Sequence, residues 1–589
     1  MTKYNFISKE ELCEKCNTLF PDNFKENQSY EIASIFKQEM DNTSNLEIKN
    51  TFNLLQKIFS CCLDIESRDF FKPIFSNGTQ RSFVPDDLNQ NKLDYLSDIV
   101  NIINQPFLKS RISDILWCYK KPKNIQHARI AIESYMNNDF NKFSVDNYIY
   151  WHRATILAIS TNQKDLLDKI KEKLLSEINS PTSDWHFHKL KIAEIFLKTG
   201  LDKNSFEKLA DAMQQEGKKF NAKSEDFHEV DSYLKLAIEL FSKSGNRDKE
   251  IECIHLLAKS TEEHGDFRAN DSKLAANCFY KKSLQIYRKI PSKYRQKYNT
   301  EQHLANIESK ITQSGTLMLD EMESFTIDKD ISELQNNSIN HVKDKKTLCE
   351  SLCYFSGVSS IDSKAILQDA QKHIEQSVLM HIAPHTAISQ DGRTIERISP
   401  LESDRSNYDE VLFKTAIQHF GIRMNLAVSG CILPALEQIQ NEYIVSKEFL
   451  IWLCHLSPIV PPKRQILVAT ALYYGFERDF ATSIHLLAPQ VENMVRQLFK
   501  DEGITTTHTD ENGIENEVGL SSLIDKAEAK EILGKDIWFQ LQAVFTNPLS
   551  SNLRNMVGHG LLDDGTSNSP FNVYAWWLIL RIIIRSILK

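Results

Sequence analysis

Arg554, Asn555 and His559 stand in the run Asn552-Leu553-Arg554-Asn555-Met556-Val557-Gly558-His559-Gly560. An imidazole titrates near pH 6.5 and can take the proton from a ribose 2′-hydroxyl. A guanidinium holds a phosphate bidentately and stabilises the charge that builds on it. Attack by the 2′-oxygen needs no metal and is open only to RNA. The three side chains are therefore candidates for RNA cleavage. On a regular helix five residues carry a side chain about 140° beyond one full turn, so Arg554 and His559 would diverge. Gly558 can end the helix and Gly560 can turn the chain again, which lets the imidazole swing back toward the guanidinium. The same residues also read as a helix terminus whose histidine caps the last carbonyls. A bare Arg-x4-His match is expected about once by chance in a chain of this size; the adjacent Asn555 and the flanking glycines are what raise its value.

Other chemistry finds less support. Cys13 and Cys16 have zinc-ligand spacing, but no second pair follows at a suitable distance for a four-ligand site. His381 and His385 are four apart with Pro384 between them, which breaks a shared helix face. Cys349 and Cys353 are also four apart on an apolar helix, where a plain structural role is the simpler reading. No Gly-rich loop ends in Lys-Ser or Lys-Thr, no dinucleotide fingerprint follows a strand, and no Gly-x-Ser-x-Gly elbow is present. Neither a metal nor a cofactor is expected.

The elements that must hold the motif are helices. Leu234, Ala237, Ile238 and Phe241 fall at helical spacing, as do Ile251, Ile254, Leu257 and Ala258. Gly200, Gly245 and Gly265 stand where such helices should stop. The pairing of Asp231–Ser244 with Arg247–His264 suggests a tetratricopeptide-like hairpin inside an irregular α-solenoid. Its concave face would either hold a protein partner or simply support the rest of the chain. The first 120 or so residues also read as helical, with loop-like breaks at Pro21-Asp22-Asn23 and Ser76-Asn77-Gly78. Ser332 to Lys346 is polar, a linker or the solvated edge of a long helix. Between Ile382 and Ser403, Pro384, Asp391-Gly392 and Pro400 bracket a turn-rich insertion with room for a hairpin.

Composition bounds the function. A chain of 589 residues implies several domains. Its apolar and charged fractions, 41% and 25%, are those of an ordinary globular protein. The formal net charge of −9 argues against a broad electrostatic grip on nucleic acid and leaves room only for a local phosphate site. Eleven scattered cysteines and a mixed-charge stretch from Met1 to Leu12 point to the cytoplasm, with free thiols and no secretory signal. The apolar run at Phe571–Lys589 meets Arg581 and Arg585 and is too short to cross a bilayer, so a buried bundle helix is expected and no membrane association.

From His485 to Leu588 the chain resembles the domain of unknown function 4209, whose hallmark is RNxxxHG and which belongs to, or is close to, the HEPN superfamily of helical ribonuclease domains. Arg554-Asn555-Met556-Val557-Gly558-His559-Gly560 matches that hallmark. Leu487-Ala488-Pro489-Gln490-Val491-Glu492-Asn493-Met494-Val495-Arg496 resembles the family's first helix, Val518 to Leu533 its middle helix, and Tyr574-Ala575-Trp576-Trp577 its last. Ser457–Pro462 and Tyr474–Phe480 are also similar to segments of longer members. The resemblance covers about a fifth of the chain.

Helical periodicity predicts an all-α protein with an N-terminal helical domain (1–122), a solenoid (123–315) and a helical linker domain with the insertion near 382–403 (316–480), and the resemblance implies a HEPN-like bundle (481–589) after them. It also implies a metal-independent endoribonuclease working as a homodimer through the C-terminal domain, with tRNA or mRNA as substrate. In that site Arg554 would bind the phosphate, Asn555 would orient it or the arginine, and His559 would act as general base or acid. Glu492 and Arg496, four apart on the first helix, would stand behind them or form a plain surface pair. Toxins and phage-defence effectors are common settings for such domains. The alternative is a HEPN-like module that binds RNA or nucleotides, or dimerises, within a scaffold and does not cut.

Overall fold

The computed structural model describes residues 6–21, 24, 29–67, 69–76, 80–138, 145–180, 185–323, 328–389, 391–402 and 404–588. Met1–Asn5, Asp22, Asn23, Asn77, Gly78 and Ser403, on which parts of the sequence reading fall, lie outside them. The fold is all-α. Among the described residues the strands form three two-stranded antiparallel ribbons, Cys62–Leu63 with Phe71–Lys72, His385–Ile388 with Thr394–Ile398, and Thr507–Thr509 with Glu515–Glu517. The middle ribbon is the hairpin expected in the insertion. The chain forms two compact units, Met1–Glu321 and Met322–Lys589.

In the first unit the helices Phe206–Gly217, Phe227–Ser244, Arg247–Arg268, Lys273–Tyr287 and Thr300–Met318 pack each on the next. Leu234, Ala237 and Phe241 are buried, as are Ile251, Ile254, Leu257 and Ala258, so the predicted stripes are the core faces. Gly245 ends its helix in the left-handed conformation (φ +83°), and the Asn246 side chain accepts from the Lys249 N–H to start the next. Gly200 ends its helix in the same way. Gly265 does not. It lies inside the Arg247–Arg268 helix, where a Cβ would come within 2.7 Å of the Tyr280 ring. Close packing, not termination, is what this glycine serves.

In the second unit one hydrophobic core runs from Val342 to Ile584 and draws on residues both before and after 480. The polar stretch after Ser332 is a helix, Ser332–Val342, that buries Ser338 and Val342. The helix Pro570–Ile587 carries an unbroken buried run from Asn572 to Leu580, and no helix of the described residues is long and apolar enough to cross a membrane. The polar atoms of its buried aromatic residues are matched inside the core. Tyr574 Oη donates to Gln540 Oε1 at 2.7 Å, Trp576 Nε1 to the Leu472 carbonyl at 2.9 Å and Trp577 Nε1 to the Phe355 carbonyl at 3.1 Å.

The Trp576 indole fits because Gly475 faces it. A Cβ at 475 would lie 2.1 Å from Nε1, against a ring that is fully buried. Gly475→Ala is therefore expected to displace the indole from the Leu472 carbonyl and to cost about 1–3 kcal/mol, the usual range for overpacking a tight core. Denaturant unfolding of the variant beside the parent checks this, and a loss below about 0.5 kcal/mol would show that the helices can part without penalty.

Candidate functional site around Arg554 and His559

The motif is mounted on the long helix Phe480–Asp501. Asp479 caps its start by accepting from the Thr482 N–H at 2.9 Å. Ile484, Leu487, Ala488, Val491 and Val495 face the core, which leaves Glu492 and Arg496 on the adjoining face. The chain then makes the Thr507–Glu517 ribbon and returns past Val518, Gly519 and Leu520 to the same face.

Glu492 is the hub of the site. Its Oε1 accepts from Arg496 Nη2 at 2.7 Å, and its Oε2 accepts from Arg554 Nε and from the Leu520 N–H, both at 3.1 Å. Arg496 also donates to the Val518 carbonyl at 2.6 Å. Its Nε stands 3.0 Å from Glu517 Oε2, an ion-pair contact in which the N–H is not aimed at the oxygen. Glu492 and Arg496 are only 18% and 13% exposed, so this is not the solvated helix pair that the i,i+4 spacing allows. Arg554, at 43%, reaches the solvent edge of the cluster, and its Nη2 lies so close to Gly519 that a Cβ there would sit 3.1 Å away.

Burial pushes the Glu492 carboxyl up, but Arg496, Arg554 and the Leu520 N–H outweigh it and hold the group below its ordinary value of 4.5. Glu517 is likewise held down, chiefly by Lys500. A depressed carboxylate adds stability above its unfolded-state value and loses it as pH falls through the folded-state value. The stability advantage of the parent over Glu492→Gln is thus expected to be full near neutral pH and to shrink steadily below about pH 4.5. Thermal unfolding of both proteins from pH 7 to 3 tests this; a difference that does not change with pH would refute it.

Arg554 lies in the short helix Leu553–Gly558, anchored by the buried Leu553 and entered from Asn552 in the left-handed conformation (φ +44°). The exit is a Schellman turn. The Leu561 N–H reaches back to the Met556 carbonyl at 2.8 Å and the Gly560 N–H to that of Val557 at 3.2 Å, with Gly560 at φ +63°. Gly560 is thus the residue the turn requires, whereas Gly558 is the last helical residue and adopts no left-handed conformation. His559 takes the C-cap position with φ −102°, and its N–H closes on the Asn555 carbonyl at 3.0 Å.

These backbone donors occupy the carbonyls at the helix end. The His559 ring is exposed and makes no hydrogen bond among the described residues, so it does not cap the helix. Within one chain no hydrogen bond or ion pair joins His559 to Arg554, whose partner is Glu492 instead. Asn555 is half-buried beside them. The structure therefore gathers Glu492, Arg496 and Arg554 into one cluster and presents His559 on the adjacent turn. Glu517 and the Val518–Leu520 backbone, which complete the cluster, were not foreseen. A Gly513 turn between polar residues marks the ribbon in the sequence, but nothing there ties its exit to residue 492.

The stretch from Val518 to Leu533 is not one helix. It forms Leu520–Ile524 and Ala529–Ile532, and Trp538 Nε1 donates at 3.1 Å to the carbonyl of Ile524, the last residue of the first. The next helix, Lys535–Leu541, runs into a wider π turn at Gln542–Thr546 before the motif.

A family profile described as a domain of unknown function (DUF7380) matches residues 10–170, a little over a quarter of the chain and wholly within the first unit. No curated protein matches the chain.

Proposed function

We propose that residues 481–589 form a HEPN-like domain that makes the protein a metal-independent endoribonuclease, active as a homodimer. The observation that carries this reading is that an exposed, unengaged imidazole at His559 stands on the turn that follows Arg554, whose guanidinium a carboxylate holds through Nε. Glu492 binds Arg554 through Nε, which leaves the Nη groups for a phosphate. In the reaction His559 takes the 2′-hydroxyl proton and the 2′-oxygen bonds to the adjacent phosphorus. The bond to the 5′-oxygen breaks, and the leaving oxygen takes a proton from the His559 of a second copy. The products are a 2′,3′-cyclic phosphate and a 5′-hydroxyl. Asn555 would orient the phosphate or the arginine.

The stacked helices of the first unit suit a surface that senses a trigger or restrains the nuclease, as in toxins and phage-defence effectors working in the cytoplasm on tRNA or mRNA. The ion pair at Glu492 supports one other reading, a non-catalytic RNA-binding or dimerisation module, because it gives Arg554 a structural role that needs no substrate. Incubation of the purified protein with total RNA and with tRNA in EDTA separates the two. Cleavage leaving 2′,3′-cyclic phosphate ends supports the nuclease. RNA left intact, together with no toxicity when the protein is expressed, favours the module.

A further inference from the structure

The helix Phe480–Asp501 borders a cavity on another of its faces. Next to the stripe that bears Glu492 and Arg496, Val491, Met494, Val495 and Leu498 line a cavity of about 760 Å³, well within the size range of small-molecule sites. Its other walls come from Leu533, Leu578 and neighbouring aliphatic residues, and no aromatic ring lines it. A nucleobase would find no face to stack on.

Two arginines border this aliphatic space, and the Nη2 of Arg585 also lies near Gly357, where a Cβ would sit 3.1 Å from it. Arg581 and Arg585 lie one turn apart on the Pro570–Ile587 helix, and neither guanidinium has an ion pair or hydrogen bond among the described residues. Like charges at this spacing repel, and Arg581 is half-buried over the Trp577 ring at 5.4 Å. Burial first, and Arg585 in addition, lower the tendency of Arg581 to stay charged. Tyr574 and Asp536 act in the opposite direction and offset part of this, but the carboxylates of the lining make their hydrogen bonds elsewhere. Asp536 Oδ1 accepts from the Ser363 N–H and hydroxyl, and Asp362 caps the helix that starts at Ser363. Lys535 adds a third positive charge at the rim.

We propose that this cavity binds a single-chain aliphatic amphiphile, its chain among Met494, Leu498, Leu533 and Leu578 and its anionic head, a carboxylate or a phosphate, on Arg581 and Arg585. The planar fork of a guanidinium matches either head bidentately, and the anion relieves the repulsion between the two arginines.

The test uses the full chain with three probes below their micelle-forming concentrations: decanoate, decyl phosphate and decanol. Saturable stabilisation in thermal unfolding and heat release in titration calorimetry are expected with one or both anions, and the stronger of the two identifies the head group. Decanol is expected to bind at least tenfold more weakly. Arg581→Met with Arg585→Met keeps the apolar stems and is expected to weaken the anion at least tenfold while the protein stays folded by circular dichroism. Leu533→Trp, which fills the cavity without touching the arginines, provides a second variant and is expected to abolish binding. Equal binding of decanol and the anions, unchanged affinity in either variant, or no binding of any probe would overturn the proposal. None of these readouts depends on RNA cleavage.

Discussion

Asp114→Ala is expected to destabilise the first unit by about 3–5 kcal/mol, because it strands a buried guanidinium. Arg153 is 2% exposed and Asp114 fully buried, and they meet in a bidentate pair with Nε–Oδ2 at 2.9 Å and Nη2–Oδ1 at 2.7 Å. Tyr135 Oη donates to the same Oδ2 at 3.0 Å, and the guanidinium stacks over the Phe70 ring at 3.7 Å. Removing the carboxylate leaves Arg153 with its charge and no anion, and leaves the Tyr135 hydroxyl unpaired. The attraction within such a pair mostly offsets the cost of burying it, so the pair itself adds little. It follows that Asp114→Leu combined with Arg153→Met should recover most of what Asp114→Ala loses. Urea unfolding of the parent, the single variant and the double variant measures this. A single-variant loss under about 1 kcal/mol would mean that water reaches Arg153 and that the site is not dry. Every residue of this network lies within the segment 10–170 that matches the DUF7380 profile.

Features set by local periodicity were readable in the sequence. The Leu234 and Ile251 stripes, the left-handed Gly245 and the turn at Gly560 each depend on residues a few positions away, where spacing carries the information. Features set by a distant neighbour were not. Gly265 and Gly475 are glycines because of Tyr280 and Trp576, the second of them about a hundred positions along the chain. The spacing of Glu492 and Arg496 showed that they could meet, but not that Arg554, 62 residues on, would join them and bury the pair. The expected swing of His559 toward Arg554 met the same limit. The glycine turn is there, but a carboxylate from another helix determines where the arginine goes. Likewise Arg111 and Asp114 are themselves buried on the Pro106–Tyr119 helix, and only the packed structure shows Arg111 donating to the Cys61 carbonyl and Asp114 receiving Arg153.

Under the ribonuclease reading, His559→Ala and Arg554→Ala are each expected to slow RNA cleavage by about 10²–10⁴-fold, the range found when a general base or a transition-state anion holder is removed. The stability consequences differ and separate chemistry from folding. The His559 ring has no partner among the described residues, so its removal should shift unfolding by less than about 0.5 kcal/mol. Removal of Arg554 takes one of three donors from Glu492 and should cost somewhat more, on the order of 1 kcal/mol. Arg554→Lys keeps a positive charge for Glu492 but loses the fork that would grip a phosphate, so it should restore stability and leave cleavage severely impaired. Single-turnover cleavage of a labelled tRNA, measured beside denaturant unfolding for all three variants, gives both quantities. Cleavage that survives in His559→Ala would remove the imidazole from the mechanism. A loss of cleavage in Arg554→Lys that merely followed its stability would reduce the arginine to a structural partner of Glu492. Cleavage lost in His559→Ala at full stability, and still lost in Arg554→Lys once stability returns, is the pattern that only a phosphate-binding arginine beside a proton-transferring histidine produces.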